Sequence, residues 1–204
     1  MKKLNKLNKL KKFVIAAGVI LSMSAFTLNS KSEAATFTHT ASPGQNYFKI
    51  ASGFGVPLNS LEAANHWKTI YPGENIVIPN SPISASDKAL VARLVHAEAV
   101  GEPYAGKVAV ASVVLNRLIS SKFPKTVPGV IYQISGGHYA FTPVENGQIN
   151  QPADSASIRA VNEAVALMGR GNGSLFFYNP STSTSFWNSS RHVTSVIGHH
   201  VFSK

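Results

Sequence analysis

Residues 90–118 carry the hydrophobic spacing of two consecutive helices, and this feature constrains the fold more than any other. In "LVARLVHAEAVGEPYAGKVAVASVVLNRL" apolar residues recur three or four positions apart, which is the period of an α-helix with one buried face. Gly101 and Pro103 interrupt the pattern, because glycine favours the end of a helix and proline favours its first turn. Two helices must therefore bury their apolar faces against other parts of the same module.

Glu98 lies inside the apolar face of the first of these helices. The helix is predicted to begin within residues 84–86, and Ser84 and Asp87 have the spacing of a capping box. At about 100° per residue, Glu98 is only about 20° from Val91. A carboxyl in that position is either tied into an internal hydrogen-bond network or held protonated for catalysis, since apolar surroundings raise its pKa. A carboxylic acid that stays protonated near neutral pH can protonate a glycosidic oxygen.

Few other carboxylates in residues 87–204 compete with Glu98 for a catalytic role. Asp87 and Asp154 are predicted at helix starts, where capping explains them. Glu102 is either a partner of Glu98 or a solvated residue ahead of a proline. The remaining two are Glu145, expected in a turn, and Glu163, expected on a solvated helix face.

Residue types exclude several other catalytic classes. The chain has no cysteine, no G-x-S-x-G or H-E-x-x-H segment, and no serine in a recognisable Ser-His-Asp context. His96 and Glu98 form only an H-x-E pair, which is a weak zinc signal. His192, His199 and His200 are candidate metal ligands, but His199 and His200 alternate across a strand and point to opposite faces. We therefore predict no metal site and no cofactor.

The first 34 residues have the layout of a secretory signal peptide. Six lysines within the first 12 residues precede the uncharged run "FVIAAGVILSMSAFTL", and Ser32 and Ala34 fit a small-x-small cleavage site. The alternative is an uncleaved membrane anchor, but a run of about 16 residues is short for a span of roughly 20. We predict removal of residues 1–34 and no stable membrane insertion afterwards.

Most of the positive charge belongs to this leading segment. The whole chain has a formal charge of +10, whereas residues 35–204 hold 12 Lys or Arg against 8 Asp or Glu. A modest positive charge suits an anionic polymer such as a cell wall. The sequence has no basic stripe with interleaved aromatic residues, so nucleic-acid binding is not predicted.

Two modules are predicted behind the leading segment, joined by a polar linker at 81–86. Residues 36–80 indicate the order strand–helix–helix–strand. Residues 87–204 place helices first and most strands later, which predicts an α+β domain. Within it, residues 138–152 are expected to form two extended segments around an Asn146-Gly147 turn. Residues 155–169 are expected to form a helix with Ile158, Val161, Val165 and Met168 facing inward.

The first module resembles a LysM domain, a family that binds N-acetylglucosamine polymers such as peptidoglycan and chitin. The resemblance rests on "PGQNYFKIA", Leu61, Asn65 and "IYPGENIVIP". It implies a small βααβ domain with glycan-binding loops. The residues implied in binding are Gly44, Gln45, Asn46, Tyr47, Tyr71 and Pro72. The first loop departs from the usual LysM residues at positions 45–47.

The second module resembles the catalytic domain of the spore-cortex-lytic cell-wall hydrolases of the SleB/CwlJ type. The matching segments are residues 90–118, "FPKTVPGVIYQ", "GSLFFYNP" and "IGHHVF". The resemblance implies a lysozyme-like or lytic-transglycosylase-like mixed fold, and it makes Glu98 of "HAEA" the catalytic residue. Many relatives have Gln-Phe where this chain has His138-Tyr139. Candidate substrate contacts are Glu102, Tyr139, Tyr178, Asn179, Trp187 and His200.

The implied function is a secreted, wall-associated enzyme that cleaves the β-1,4 bond between N-acetylmuramic acid and N-acetylglucosamine in peptidoglycan. Glu98 would protonate the leaving oxygen and then deprotonate the muramic acid C6 hydroxyl, which closes a 1,6-anhydro ring as in lytic transglycosylases. The implied location is the cell wall, the spore cortex or the spore coat, with a role in germination or wall remodelling. The alternatives are an N-acetylmuramoyl-amidase and a wall-binding protein that does not cleave.

Overall fold

The computed structural model describes residues 37–183 and 190–204. The predicted signal peptide at 1–34 and Trp187 fall outside these two ranges. Within them, no helix combines the length and the apolar character that crossing a membrane requires.

Residues 37–78 form a small unit in which two helices connect two strands, and these strands pair with each other. Its elements are β1 (Phe37–Thr40), α1 (Tyr47–Phe54), α2 (Leu58–Ala64) and β2 (Asn75–Ile78). β1 and β2 are antiparallel, with Phe37 opposite Ile78. Asn46 caps α1 by accepting a hydrogen bond from the Lys49 backbone N–H at 2.8 Å. The order of elements is the one predicted from the sequence.

The helices that follow residue 84 surround the main apolar core. They are α3 (Ala85–Glu98), α4 (Tyr104–Ile119), α5 (Val127–Ile131), α6 (Thr142–Glu145) and α7 (Ser155–Ala166), with a 3-10 turn at Gln148–Asn150. α3, α4 and α7 pack against one another, and Val91, Val114 and Val165 are fully buried in their shared core. The Ser84 hydroxyl accepts a hydrogen bond from the Asp87 N–H at 3.1 Å, which confirms the predicted start of α3.

Strands occupy a hairpin before α6 and the C-terminal part of the chain. β3 (Ile134–Ser135) pairs with β4 (His138–Tyr139). β5 (Phe176–Tyr178), β6 (Val193–Ile197) and β7 (His200–Ser203) form an antiparallel sheet in the order β5–β7–β6. Phe202 on β7 is fully buried in the helical core, so the sheet and the helices share one interior. The predicted α+β class is confirmed.

The predicted pair of extended segments around Asn146-Gly147 is wrong. α6 precedes this dipeptide and the 3-10 turn follows it. Pro143 lies in the first turn of α6, where its fixed φ of about −65° favours helix. Gly147 has a φ of +80° and supplies the change of direction. An Asn-Gly pair specifies a reversal of the chain, but it does not specify whether strands or helical turns flank it.

The predicted inner face of the last helix is only partly correct. α7 ends at Ala166 rather than at residue 169, and Ile158 in its first turn is 49% exposed. Val161 and Val165 are buried as predicted. Hydrophobic spacing gives the direction of a side chain around a helix, but it does not show how far along the helix the packed neighbours extend.

α1 of the first unit packs against α7 of the helical core. Ala166 at the end of α7 is fully buried among the apolar residues of the first unit. The Lys88 ammonium donates a hydrogen bond to the Gly55 carbonyl at 2.6 Å, and Arg170 forms an ion pair with Glu62 at 2.7 Å. Apolar burial and polar contacts together stabilise this junction.

Candidate active site

Glu98 is the last residue of α3 and lines a cavity of about 350 Å³. Burial of its carboxyl raises the pKa to about 7, and the positive charge of Arg117 acts in the opposite direction. In the part of the chain that the structure describes, no donor forms a hydrogen bond with this carboxyl. Among the described residues, Glu98 is therefore not part of an internal hydrogen-bond network. A neutral acid that faces a cavity is available for proton transfer.

Arg117 on α4 lines the same cavity and supplies the positive charge near Glu98. Its Nε donates a hydrogen bond to the Leu175 carbonyl at 2.8 Å. The guanidinium carbon lies 4.9 Å from the ring centre of Phe141 and 5.0 Å from that of Phe123, which are cation–π distances. Burial lowers the pKa of Arg117 to about 10, so the side chain remains charged at neutral pH.

Tyr178, Asn179 and His200 line this cavity together with Glu98. β5 and β7 bring them together, because Tyr178 pairs with Val201 next to His200. His200 is 7% exposed, and burial lowers the pKa of its ring, so the neutral form predominates at neutral pH. The Asn179 side-chain oxygen accepts a hydrogen bond from the Ser181 N–H at 2.9 Å, which fixes the loop after β5.

Glu102, which is predicted from the sequence as a candidate substrate contact, does not line this cavity. Its side chain is 5% exposed and accepts a hydrogen bond from the His199 backbone N–H at 3.0 Å. Its second oxygen lies 3.0 Å from the His199 Nδ1. Burial acts to raise the pKa of Glu102, but the contacts with His199 outweigh burial and the pKa falls below its usual value. Glu102 therefore holds the turn that leads into His200.

Gly198 makes this contact possible. Its φ is +58°, a conformation that favours glycine, and a Cβ at this position would collide with the Glu102 carboxylate. The turn between β6 and β7 thus depends on a glycine from one end of the module and a carboxylate from the other.

Tyr139, one of the aromatic candidates, is not among the residues that line the cavity. Tyr139 on β4 is 40% exposed and lies next to Ala140, which does line the cavity. Trp187 falls outside the described residues.

Asp154 and Glu163 have hydrogen-bond partners of their own. Asp154 caps α7 by accepting a hydrogen bond from the Ser157 N–H at 2.6 Å, as predicted. Glu163 accepts a hydrogen bond from the Tyr104 hydroxyl at 2.9 Å. Glu145 belongs to α6 rather than to a hairpin turn. Over the described ranges, no group of three or more His, Asp or Glu side chains is arranged to hold a metal ion.

The first unit brings its two candidate glycan-binding loops side by side. The Gly73 N–H donates a hydrogen bond to the Ala41 carbonyl at 2.8 Å, and the Ala41 N–H donates to the Glu74 carbonyl at 2.8 Å. Tyr71 on the second loop is 67% exposed, and the neighbouring Pro72 is also exposed. The loop pair therefore presents an aromatic ring to solvent.

The first of these loops is held by its own side chains. Gly44 has a φ of +77°. The Gln45 side-chain oxygen accepts a hydrogen bond from the Ser42 N–H at 2.9 Å, and Asn46 is occupied as the cap of α1. Tyr47 packs against the apolar core of the unit. These contacts, together with the hydrogen bond from the Lys49 ammonium to the Gly44 carbonyl at 2.8 Å, shape the loop.

Arg117 belongs to the site although it was not among the site residues predicted from the sequence. The signal was present, because Arg117 follows Val114 by three residues and Val110 by seven, and both valines are fully buried. The same reasoning that singled out Glu98 on α3 therefore applies to Arg117 on α4. A charge inside an apolar stripe marks either a buried pair or a binding site.

The second module is similar in sequence to proteins of a known family. The family described as Cell Wall Hydrolase matches residues 101–203. The spore cortex-lytic enzyme of Halalkalibacterium halodurans is 44% identical over 119 residues, which cover 58% of this chain and 35% of that protein. The spore cortex-lytic enzyme of Bacillus subtilis is 40% identical over 131 residues, which cover 63% of this chain and 42% of that protein. The chain thus spans less than half the length of these relatives.

Solved structures of similar sequence share the fold. The catalytic domain of the germination-specific lytic transglycosylase SleB from Bacillus anthracis is 40% identical, with a TM-score of 0.55, over 62% of this chain and 100% of that chain. The catalytic domain of the Bacillus cereus SleB protein is 41% identical, with a TM-score of 0.55, over 62% of this chain and 95% of that chain. Because the family match spans half of the 204 residues, this chain belongs to the cell wall hydrolase family.

Proposed function

We propose that this chain is a peptidoglycan-lytic enzyme that acts as a lytic transglycosylase on the β-1,4 bond between N-acetylmuramic acid and N-acetylglucosamine. The observation that carries the proposal is Glu98, a carboxyl with a pKa of about 7 that faces a cavity without a hydrogen-bond donor among the described residues. The family membership and the similar SleB domains agree with this chemistry.

The reaction begins with proton donation by Glu98. At neutral pH a substantial fraction of this carboxyl is protonated, so it can donate its proton to the glycosidic oxygen as the C1–oxygen bond breaks. The resulting carboxylate is favoured by the nearby Arg117 cation. Positive charge develops at C1 of the muramic acid ring at this stage.

The reaction ends with a proton returning to Glu98. The muramic acid C6 hydroxyl attacks C1, a C1–O6 bond forms, and the Glu98 carboxylate takes the hydroxyl proton. The acid is thereby restored and the products are a 1,6-anhydromuramic end and a free 4-hydroxyl, with no water consumed. Among the described residues that line the cavity, Glu98 is the single carboxylate, which agrees with a route that needs no second one.

Fragment analysis tests this proposal. Purified protein is incubated with spore cortex and with vegetative peptidoglycan, and the soluble fragments are analysed by mass spectrometry. We expect 1,6-anhydromuramic ends. Reducing muramic ends would instead identify a hydrolase, freed peptide amino groups would identify an amidase, and binding without release would identify a wall-binding protein.

We propose that residues 36–80 are a LysM domain that holds the enzyme on its polymer. The proposal is supported by the strand–helix–helix–strand order and by the adjacent loops with Tyr71 exposed. Tethering raises the local substrate concentration at the active site. In the full chain, Tyr71→Ala should weaken binding to insoluble peptidoglycan, whereas Trp67→Ala, which removes a ring that is 64% exposed outside the two loops, should not. Equal losses in both variants would argue against binding by these loops.

We propose that residues 1–34 direct secretion and are then removed, so that the enzyme works in the cell wall or the spore cortex. N-terminal sequencing of the protein from the wall fraction should then begin at Ala35. A protein that retains Met1 and sediments with membranes would show that the segment serves as an anchor.

A further inference from the structure

A second cavity lies beside the one that contains Glu98. It has a volume of about 400 Å³ and shares Arg117, Ala140 and Phe177 with the cavity that contains Glu98. Because the two cavities share these wall residues, they lie next to each other at Arg117, and the pair is called the groove below. Glu98 marks the place of bond cleavage in the first half of this groove.

The second cavity is lined by both aromatic and polar side chains. Phe123 and Phe176 contribute aromatic rings, the second of them with the Arg191 guanidinium carbon 3.6 Å from its ring centre, while Gln133 and Ser135 from the segment around β3 offer an amide and a hydroxyl. Aromatic faces pack against the apolar face of a pyranose, and the amide and hydroxyl can bond its hydroxyl or acetamido groups. The cavity therefore suits one further unit of the same glycan chain.

Arg117 is held rigidly at the junction without its own counter-ion. The side chain is 6% exposed and its guanidinium carbon lies within 5.4 Å of three phenylalanine ring centres, those of residues 123, 141 and 176. Only its Nε has a hydrogen-bond acceptor among the described residues, the Leu175 carbonyl. No described carboxylate, Glu98 included, forms an ion pair with Arg117 within 4.0 Å. The terminal nitrogens are thus unused donors of a buried cation.

We propose that the second cavity binds the sugar unit adjoining the scissile bond and that the terminal nitrogens of Arg117 bind the acyl oxygen of its lactyl substituent. The inference rests on the proposed function, because only muramic acid carries a lactyl group on this polymer. The acyl oxygen belongs to a carboxylate in the peptide-free glycan and to an amide where a peptide is attached. A planar guanidinium binds either oxygen, and a carboxylate more strongly.

A competing explanation assigns Arg117 only to Glu98, whose carboxylate it favours from beyond ion-pair distance. In that case Arg117 affects proton transfer but does not distinguish substituents on the sugar. The full chain carrying Glu98→Gln separates the two explanations, because the glutamine removes the negative charge and blocks cleavage while Arg117 remains in place.

The test is an NMR titration of the full-length Glu98→Gln protein, following the Arg117 Nε–H signal, which is assigned by its loss in Arg117→Lys. The ligands are an alternating muramic acid glycan with free lactyl carboxylates, the same glycan with its peptides, and the same glycan with its carboxylates reduced to alcohols. We expect saturable shifts with the first two, and about 10- to 100-fold weaker binding of the reduced glycan. Equal affinity for all three, or no shift of the Arg117 signal, would overturn the proposal.

Arg93 supplies the internal control. Its Nε also donates to a backbone carbonyl, that of Ile149 at 3.1 Å, but it lines neither half of the groove. The Arg93 Nε–H signal should remain unmoved in every titration. Failure of the proposed function is recognised separately, since it would appear as absence of cleavage by the unmodified protein whether or not the Arg117 signal shifts.

A kinetic comparison provides a second, independent readout. For the unmodified protein, kcat/KM should be about 10- to 100-fold higher with the carboxylate glycan than with the reduced glycan. Arg117→Lys should shrink this ratio, and Arg93→Lys should leave it unchanged. If Arg117 serves only Glu98, Arg117→Lys lowers both rates equally and the ratio stays the same.

Discussion

Glu98 ends α3 and Glu102 follows it by four residues, yet the fold gives their carboxyls opposite surroundings. Glu98 faces a cavity without a described donor, and burial raises its pKa to about 7. Glu102 bonds the His199 backbone and approaches its ring, and its pKa falls. The difference shows that burial alone does not make an acid catalyst. A buried carboxyl without donors is kept protonated, whereas one with donors is kept ionised and serves as structure.

Replacing each carboxyl by its amide tests the difference between Glu98 and Glu102 and should give the largest effect. Glu98→Gln should reduce fragment release by about 10³-fold or more, because no proton can then be donated to the leaving oxygen. Glu102→Gln should reduce it by about tenfold, because the amide still occupies the space but weakens the contacts that position His200. Release rates of muropeptides measure both. Full activity in Glu98→Gln would refute the assigned mechanism.

Gly198→Ala tests whether the Glu102 contact requires a glycine. The new Cβ meets the Glu102 carboxylate and the backbone has a φ of +58°, so the substitution should destabilise the fold by about 2–3 kcal/mol. Denaturant unfolding measures this cost. In a Glu102→Ala background the clash with the carboxylate is removed and the cost should fall, while the positive φ and the close approach of the new Cβ to the Pro103 ring remain. Equal costs in both backgrounds would show that the two residues do not interact.

Glu98→Gln should also change stability with pH in a defined direction. The carboxyl titrates near 4.5 when unfolded and near 7 when folded, so it contributes stability below pH 4.5 that is lost as pH rises through 7. The amide does not titrate, so the free energy of unfolding of the variant does not fall in this pH range. Relative to the unmodified protein, it should therefore rise by about 1–3 kcal/mol at pH 8. Thermal unfolding at pH 4 and pH 8 checks this prediction. An equal difference at both pH values would mean that Glu98 is not held protonated by the fold.

The pH dependence of activity gives the smallest expected effect. As the general acid, Glu98 must be protonated, so kcat/KM should decline as pH rises through about 7. Because Arg117 lowers the pKa of Glu98, Arg117→Met should move this decline to higher pH, by less than about one pH unit. Arg93→Met should leave it in place. A decline that moves to lower pH in Arg117→Met would contradict the assigned direction of the Arg117 charge.

The sequence by itself determined the features that depend on neighbouring residues. The Ser84 cap, the end of α3 ahead of Gly101 and the order of elements in the first unit all follow from spacing and from turn and capping residues. The unusual position of Glu98 was also visible, because its angle to Val91 depends only on the helical repeat. These interactions act within one or two helical turns, so they are present in the sequence before any packing occurs.

Only the tertiary structure decided which distant residues surround the two glutamates. The contact of Glu102 with His199 spans 97 residues, and His200 reaches Glu98 only because β7 pairs with β5. The short helical turns at 142–150 likewise replaced predicted extended segments. Periodicity specifies which face of an element is apolar, but the partner of that face is selected by packing of the whole core. The pKa of Glu98 therefore belongs to the fold, while its position on the helix belongs to the sequence.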